Sequence, residues 1–395
     1  MKRATVMRHG LSVVCILYLG VLLLVADPGR CGQDKSAASK KAASSGAAAK
    51  HSSTSREDWT KLSVQATSLR MKQPEFAAKD DAPNTGFIRE RYQVTWREGD
   101  PFDLYVIRPR GVERAPVILY LYSFPEDTGQ FKDNFWCETA VSGGYAAVGF
   151  VGAVTGHRTR YRLPKEWFVS EMQEALGSTV HDVQLILDYL GTRKDLDMSH
   201  VGMFGSGSGG AIAIMASAVD PRIQVVDLLG PWGDWPEWVA KTKIIEDAER
   251  QKFNNPEFLA KIAPLEPVAW LPKIKAKALR IQDVRINKSI PDDAQEKLEA
   301  AAPDFAVINE YGNGRALMAS QPSYALFEWM KGQLKGNGAQ RVTAKASERI
   351  HFFAAVEAPV EHWPNTGPAA GARESSGTNP KPTSDKEKPN RQNLT

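Results

Sequence analysis

The segment Val201–Ala218, VGMFGSGSGGAIAIMASA, constrains the fold more than any other part of this 395-residue chain. Val201–Phe204 is short, apolar and extended in character. Gly205–Gly210 contains only glycine and serine, which permits a turn too tight for larger residues. Alanine and isoleucine then make a slim apolar helix that can lie flat on a sheet. Strand, tight turn and helix in this order form the unit of a mostly parallel α/β sheet.

The flanking sequence repeats that unit. Arg91–Arg97 and Phe102–Arg108 read as a leading hairpin, while Pro116–Tyr122 and Tyr145–Val151 are apolar runs expected of strands buried on both faces. Val180, Val183, Leu187 and Leu190 recur at steps of three and four, which puts an apolar stripe on a helix. Strands over Ile223–Leu229, Ala278–Gln282 and Phe305–Glu310, with helices over Asp292–Ala301 and Ser323–Leu334, continue the alternation. The expected fold class is an open α/β sheet with helices on both faces. Trp232–Leu271 interrupts it with a helical, tryptophan-rich insertion, expected as a lid over the carboxyl ends of the strands, where open α/β sheets bind ligands. The competing reading of Trp232, Trp235, Trp238 and Trp270 is packing of that insertion on the sheet.

The ends differ from this middle. Lys2, Arg3 and Arg8 precede the apolar run Leu11–Ala26, a pattern of export, with cleavage after Ala26 or an uncleaved anchor as the alternatives. Residues 27–58 are an Ala/Ser/Lys-rich linker, 59–340 the globular domain with its insertion over 232–271, 341–363 an extension without a clear place, and 364–395 a polar tail of disordered character. The expected location is periplasmic or extracellular, with membrane attachment only through the N-terminal segment. Fifty basic residues against 46 acidic ones leave a net charge of +4, and no basic stripe interleaved with aromatics argues for nucleic acid. Three cysteines, one of them inside the apolar leader, give no disulfide framework; Cys137 reads as a buried thiol, with a Cys31–Cys137 bridge as the alternative.

The glycine-rich turn, the helix after it and the Asp220-Pro221-Arg222-Ile223 that closes it resemble the α/β-hydrolases. The likeness is to the dienelactone hydrolase, acetyl-xylan esterase and prolyl-oligopeptidase-like branch, and it extends over residues 85–335. Those proteins set a serine nucleophile in G-x-S-x-G on a turn with positive φ. The ungapped register puts Gly205 and Gly209 on the two motif glycines and Gly207 on the nucleophile. The family's acid falls on Asn287, and its histidine base falls on Arg315, in the turn Tyr311-Gly312-Asn313-Gly314-Arg315. Where the family carries His-Gly beside the oxyanion hole, this chain has Tyr122-Ser123-Phe124-Pro125.

Glycine has no attacking atom, an amide cannot offset an imidazolium by charge, and a guanidinium cannot take a proton at neutral pH. The resemblance therefore implies a degenerate triad on a retained fold, with a cleft for a small molecule, anionic if Arg315 faces it, or for a protein partner. Arg315, Asn287, Tyr122 and Trp232 are the candidate binding residues, with Arg285 beside them. Arg315 could equally pair with Asp283, Asp234 or Glu237. The alternative is an active serine hydrolase in which the turn slips by one residue and Ser208 attacks, with His157 or His351 as base and Asp283 as acid. Ser206 and Ser208 otherwise read as caps of the helix N-terminus. His181 is expected on a helix surface and His200 at a strand entrance. No cofactor is implied, and no histidine–carboxylate cluster has metal-ligand spacing.

Overall fold

The computed structural model describes residues 57–124, 126, 128–154, 158, 164–285, 289–320, 327–335 and 350–352. The expected leader, most of the linker, the tail, His157 and Asn287 lie outside the described residues. No described helix is long and apolar enough to cross a membrane.

The strands are β1 (Glu75–Asp80), β2 (Phe87–Val94), β3 (Phe102–Pro109), β4 (Ala115–Leu121), β5 (Ala146–Phe150), β6 (Leu196–Ser206), β7 (Ile223–Leu229), β8 (Ala278–Val284), β9 (Ala306–Tyr311) and β10 (Ile350–Phe352). They form one sheet in the order β1-β2-β3-β5-β4-β6-β7-β8-β9-β10. The pairs β1–β2, β2–β3 and β3–β5 are antiparallel, and every pair from β5–β4 onward is parallel. The leading hairpin and the alternation read from the sequence are thus present. Two strands extend that reading. β1 is an exposed, bulged edge that carries no alternation, and β10 places part of the 341–363 extension beside β9.

Both faces are covered. On one lie α2 (Pro164–Gly191) and α3 (Ser208–Val219), whose apolar side chains join β4, β6 and β7 in the larger core. On the other, α1 (Asn134–Val141) and α8 (Glu328–Leu334) pack over Tyr120, Phe204 and Val225. The predicted stripe Val180, Val183, Leu187 and Leu190 is fully buried. His181 and Asp182 are buried as well, which corrects the surface placement of His181. The arm that starts at Glu57 covers the side of α2 that periodicity alone would leave to solvent: His181 meets Glu57, and Gln184 meets Leu62 and Val64.

The insertion is helical, with α4 (Trp235–Lys241), α5 (Pro256–Ile262) and single turns at Arg250–Phe253 and Pro267–Trp270. It packs against α2, α3 and α6 (Asp292–Ala300). Trp232, Trp235 and Trp238 belong to the larger core. Rings 232 and 238 lie 4.6 Å apart, with Trp235 edge-on to Trp238 at 5.8 Å. Packing is therefore what these three rings do, while Trp270 is only half-buried and bonds Pro264 through its indole N–H. Cys137 is a buried free thiol in α1 whose pKa burial pushes up to about 11.

Candidate functional site

The site stands where β6 turns into α3. β6 ends at Ser206, and Gly207 has φ +50° and ψ −116°. Its N–H donates to the Leu229 carbonyl at 3.0 Å, and its own carbonyl accepts from Trp232 N at 3.0 Å and Ala211 N at 3.2 Å. These bonds pin the turn to β7 and to the start of the insertion. Close approach is obligatory here: a β-carbon on Gly205 would lie 2.5 Å from the Gly209 carbonyl oxygen. The positive-φ tip is Gly207, and Ser208 is the first helical residue, fully buried. The slipped register that would lift Ser208 to the tip is not the one the chain adopts.

The space above the tip is filled. A β-carbon on Gly207 would run into Ser123 Oγ, would lie 2.7 Å from Ser123 Cβ, and would come within 3.2 Å of Trp232 Nε1. Ser123 immediately follows β4 and its neighbour Tyr122, so the end of β4 delivers its hydroxyl to the spot where a nucleophile would project.

In hydrolases with such an elbow, the oxyanion is held by the N–H of the residue after the nucleophile and by one from a neighbouring strand–helix loop. Here the matching donors are engaged internally. Ser208 N donates to Ser123 Oγ at 3.3 Å, Phe124 N donates to Ser208 Oγ at 3.0 Å, and Ser123 N donates to Ser206 Oγ at 3.2 Å. Three serine hydroxyls thus satisfy three backbone donors around the turn. Ser206 and Ser208 do not cap their own helix, the alternative reading of these hydroxyls; their partners lie across the turn on the β4 loop. The signal for this was Ser123 standing in place of His-Gly.

Of the remaining candidates among the described residues, Trp232 alone meets the elbow, through its backbone N–H on the Gly207 carbonyl. Of the two histidines with described side chains, His181 lies under the N-terminal arm and His200 bonds Asp197 at the entrance of β6. His351 is in β10, level with Glu310 of β9. No hydrogen bond joins Ser208 Oγ to a histidine or a carboxylate among the described residues. Arg315 is exposed on the first turn of α7 (Gly314–Ser320), which Asn313 caps through Ala316 N at 2.9 Å. The acids considered as its partners are taken elsewhere: Asp283 by Arg285, Asp234 by Lys297, and Glu237 by Lys241. Tyr122 turns toward α1, where its hydroxyl accepts from Trp136 Nε1 at 2.7 Å.

Arg285, expected beside the candidate binding residues, is held instead among carboxylates. Its guanidinium meets Asp283 at 2.9 Å, Glu310 at 3.1 Å, Glu299 at 3.7 Å and Glu296 at 3.8 Å. Burial, aided by the neighbouring Glu299 charge and opposed by Arg285, pushes the Asp283 carboxyl up to about 7. Beneath the strand ends, Asp227 and Arg280 form a buried bidentate pair at 2.9 and 2.6 Å, and Gln282 donates to the same carboxylate at 3.0 Å. Among the described residues no group of three or more His, Cys, Asp or Glu side chains is arranged to hold a metal ion.

Solved structures share this architecture. The acetyl xylan esterase from Paenibacillus sp. R4 superposes with a TM-score of 0.52 at 16% identity, over 66% of this chain and 88% of that one. Acetyl Xylan Esterase 1 from Thermoanaerobacterium sp. JW/SL YS485 matches at a TM-score of 0.48 and 15% identity, over 65% and 89% of the two chains. A 2,6-dihydroxy-pseudo-oxynicotine hydrolase matches at 0.48 and 18%, over 65% and 69%. No family model and no curated protein sequence matches the chain. At these identities the likeness is one of fold, and the fold is that of the α/β-hydrolases.

Proposed function

We propose that this α/β-hydrolase-fold chain is an exported, catalytically degenerate relative of esterases that acts by binding rather than by hydrolysis. The carrying observation is the place of Ser123 Oγ, which stands where a side chain on Gly207 would project and accepts the Ser208 N–H. An acyl transfer needs a nucleophile, a base within hydrogen-bond reach and free oxyanion donors. The tip supplies no nucleophile, no described histidine reaches Ser208, and the donors already serve hydroxyls. In subtilisin, loss of the serine or the histidine alone costs about a million-fold in turnover.

The binding surface in this reading is the strand-end rim at Arg315, and its ligand is a small anionic molecule or an acidic side chain of a partner. An exposed guanidinium suits a carboxylate or phosphate because it offers paired donors. A fluorophosphonate probe tests the degenerate reading: the expected result is no covalent adduct. Labelling that vanishes in Ser208→Ala would overturn it and return the chain to the active serine hydrolases. Arg315→Ala tests the ligand class separately: the expected result is weaker retention of carboxylates and phosphates, and unchanged binding of every anion tried would remove that assignment alone.

A further inference from the structure

We propose that His181 is the doubly protonated pin of a clasp that fastens the arm Glu57–Leu62 to the domain. The ring is fully buried on α2. Its Nδ1 lies 2.5 Å from Glu57 Oε1, and its Nε2 lies 2.6 Å from the Lys61 carbonyl oxygen. A carbonyl oxygen only accepts. The Glu57 carboxylate accepts too, because Arg97 donates to both of its oxygens, at 2.6 and 2.8 Å. A neutral imidazole carries one N–H and can serve only one of these acceptors, whereas the imidazolium serves both.

The surrounding charges agree with that assignment. The arm contributes Glu57. The loop between β2 and β3 contributes Arg97 and Asp100, and the chain beyond β5 contributes Arg158. α2 itself contributes Asp182, with the Ser178 carbonyl beside it. Arg97 reaches Asp182 at 2.5 Å and the Ser178 carbonyl at 3.1 Å. Arg158 spans Asp182 at 2.8 Å and Asp100 at 2.5 Å. Lys61 Nζ turns outward to Asp58, in an exposed pair. Three carboxylates thus face two guanidiniums, and an imidazolium brings the group to neutrality. A buried cluster left with net charge would carry a large desolvation cost.

The imidazolium serves both acceptors and the neutral ring only one, so removing that proton loosens the arm. The release is local. Gln184 accepts from Val64 N at 3.1 Å and donates to the Leu62 carbonyl at 2.7 Å, and neither bond titrates. Residues from Leu62 onward therefore stay seated while Glu57–Lys61 lift.

Two measurements on the full chain test the clasp. Nitrogen-15 NMR of the histidines at pH 7 is expected to find both His181 nitrogens protonated; a single neutral tautomer with the arm still protected would overturn the proposal. Amide exchange at pH 7 is expected to show protection over Glu57–Lys61 in the parent that falls about tenfold or more in His181→Gln. Protection over Leu62–Thr67 should hold. Parent-like protection over Glu57–Lys61 in His181→Gln would equally overturn it. The NMR result stands whether or not that variant folds.

Discussion

The hydroxyl of Ser123 occupies the place that a β-carbon on Gly207 would take. Gly207→Ser, the substitution that writes the hydrolase motif back into the turn, should therefore destabilise the fold rather than restore activity. It adds a side chain at φ +50° and drives it into Ser123 and Trp232. A left-handed non-glycine residue costs about 1–3 kcal/mol, and overpacking costs about as much again. The urea midpoint should fall. Combining it with Ser123→Gly, which vacates the space, should recover part of the loss, a coupling that a double-mutant cycle measures directly. Additive losses would show that the two positions do not compete.

Asp283 makes stability depend on pH in a predictable direction. Its carboxyl titrates near 3.8 when unfolded and near 7 when folded, because burial and the nearby Glu299 charge disfavour ionisation. Between those values the native state holds the extra proton, so stability declines as pH rises from about 4 to about 7. Below that window the effect is absent, and above it the penalty is complete. Asp283→Asn should flatten the decline and be more stable than the parent at pH 8, read as a shift in the urea midpoint. Arg285 keeps Glu310, Glu299 and Glu296 in that variant, so no cation is stranded.

The strand–turn–helix unit was legible because its signals are local. Apolar runs, glycines and helical periodicity each report on a few neighbouring residues, and β4, β6, α3 and β7 fall where those signals put them. The identity of the tip residue was legible too, since one ungapped register fits both flanking glycines. What lies above the tip was not. Ser123 and Gly207 are far apart in sequence, and only the parallel pairing of β4 with β6, which sets Leu121 beside Gly205, brings them together. The same limit hid His181. Periodicity assigns one apolar side to α2, and nothing near His181 in sequence announces that Glu57 returns to cover the other side. Arg285 was misjudged for a related reason, because its carboxylates come from β8, β9 and α6 at once.

The clasp has an acid limit as well. Burial alone would raise the Glu57 carboxyl, but hydrogen bonds from Arg97 and His181 outweigh it and hold the group down at about 2, against an ordinary 4.5. A depressed carboxyl contributes stability that is present above its unfolded value and lost as pH falls through the folded one. Between about pH 4.5 and 2 the arm should therefore undock, visible as faster proteolysis near Lys61 by an acid-active protease. Glu57→Gln should lower protection at pH 6 and remove this acid-dependent step.

The pair Asp227–Arg280 should resist single substitution far more than double substitution. It lies level across β7 and β8, in the row that also holds Tyr120 and Phe204. Asp227 is fully buried, Arg280 nearly so, and the guanidinium stacks 4.9 Å from the Trp329 ring centroid. Desolvation raises the Asp227 carboxyl even beside its partner, so the attraction does not fully offset the cost of burying the charge. Asp227→Leu would take from Arg280 the buried carboxylate it meets under α8, and breaking a buried pair from one side typically costs about 3–5 kcal/mol. Asp227→Leu with Arg280→Met replaces both charges by apolar groups of similar size and should regain most of that loss. The melting temperature of the double variant should then lie well above that of Asp227→Leu alone. A double variant no more stable than the single one would mean that the pair contributes net stability of its own, beyond satisfying its two charges.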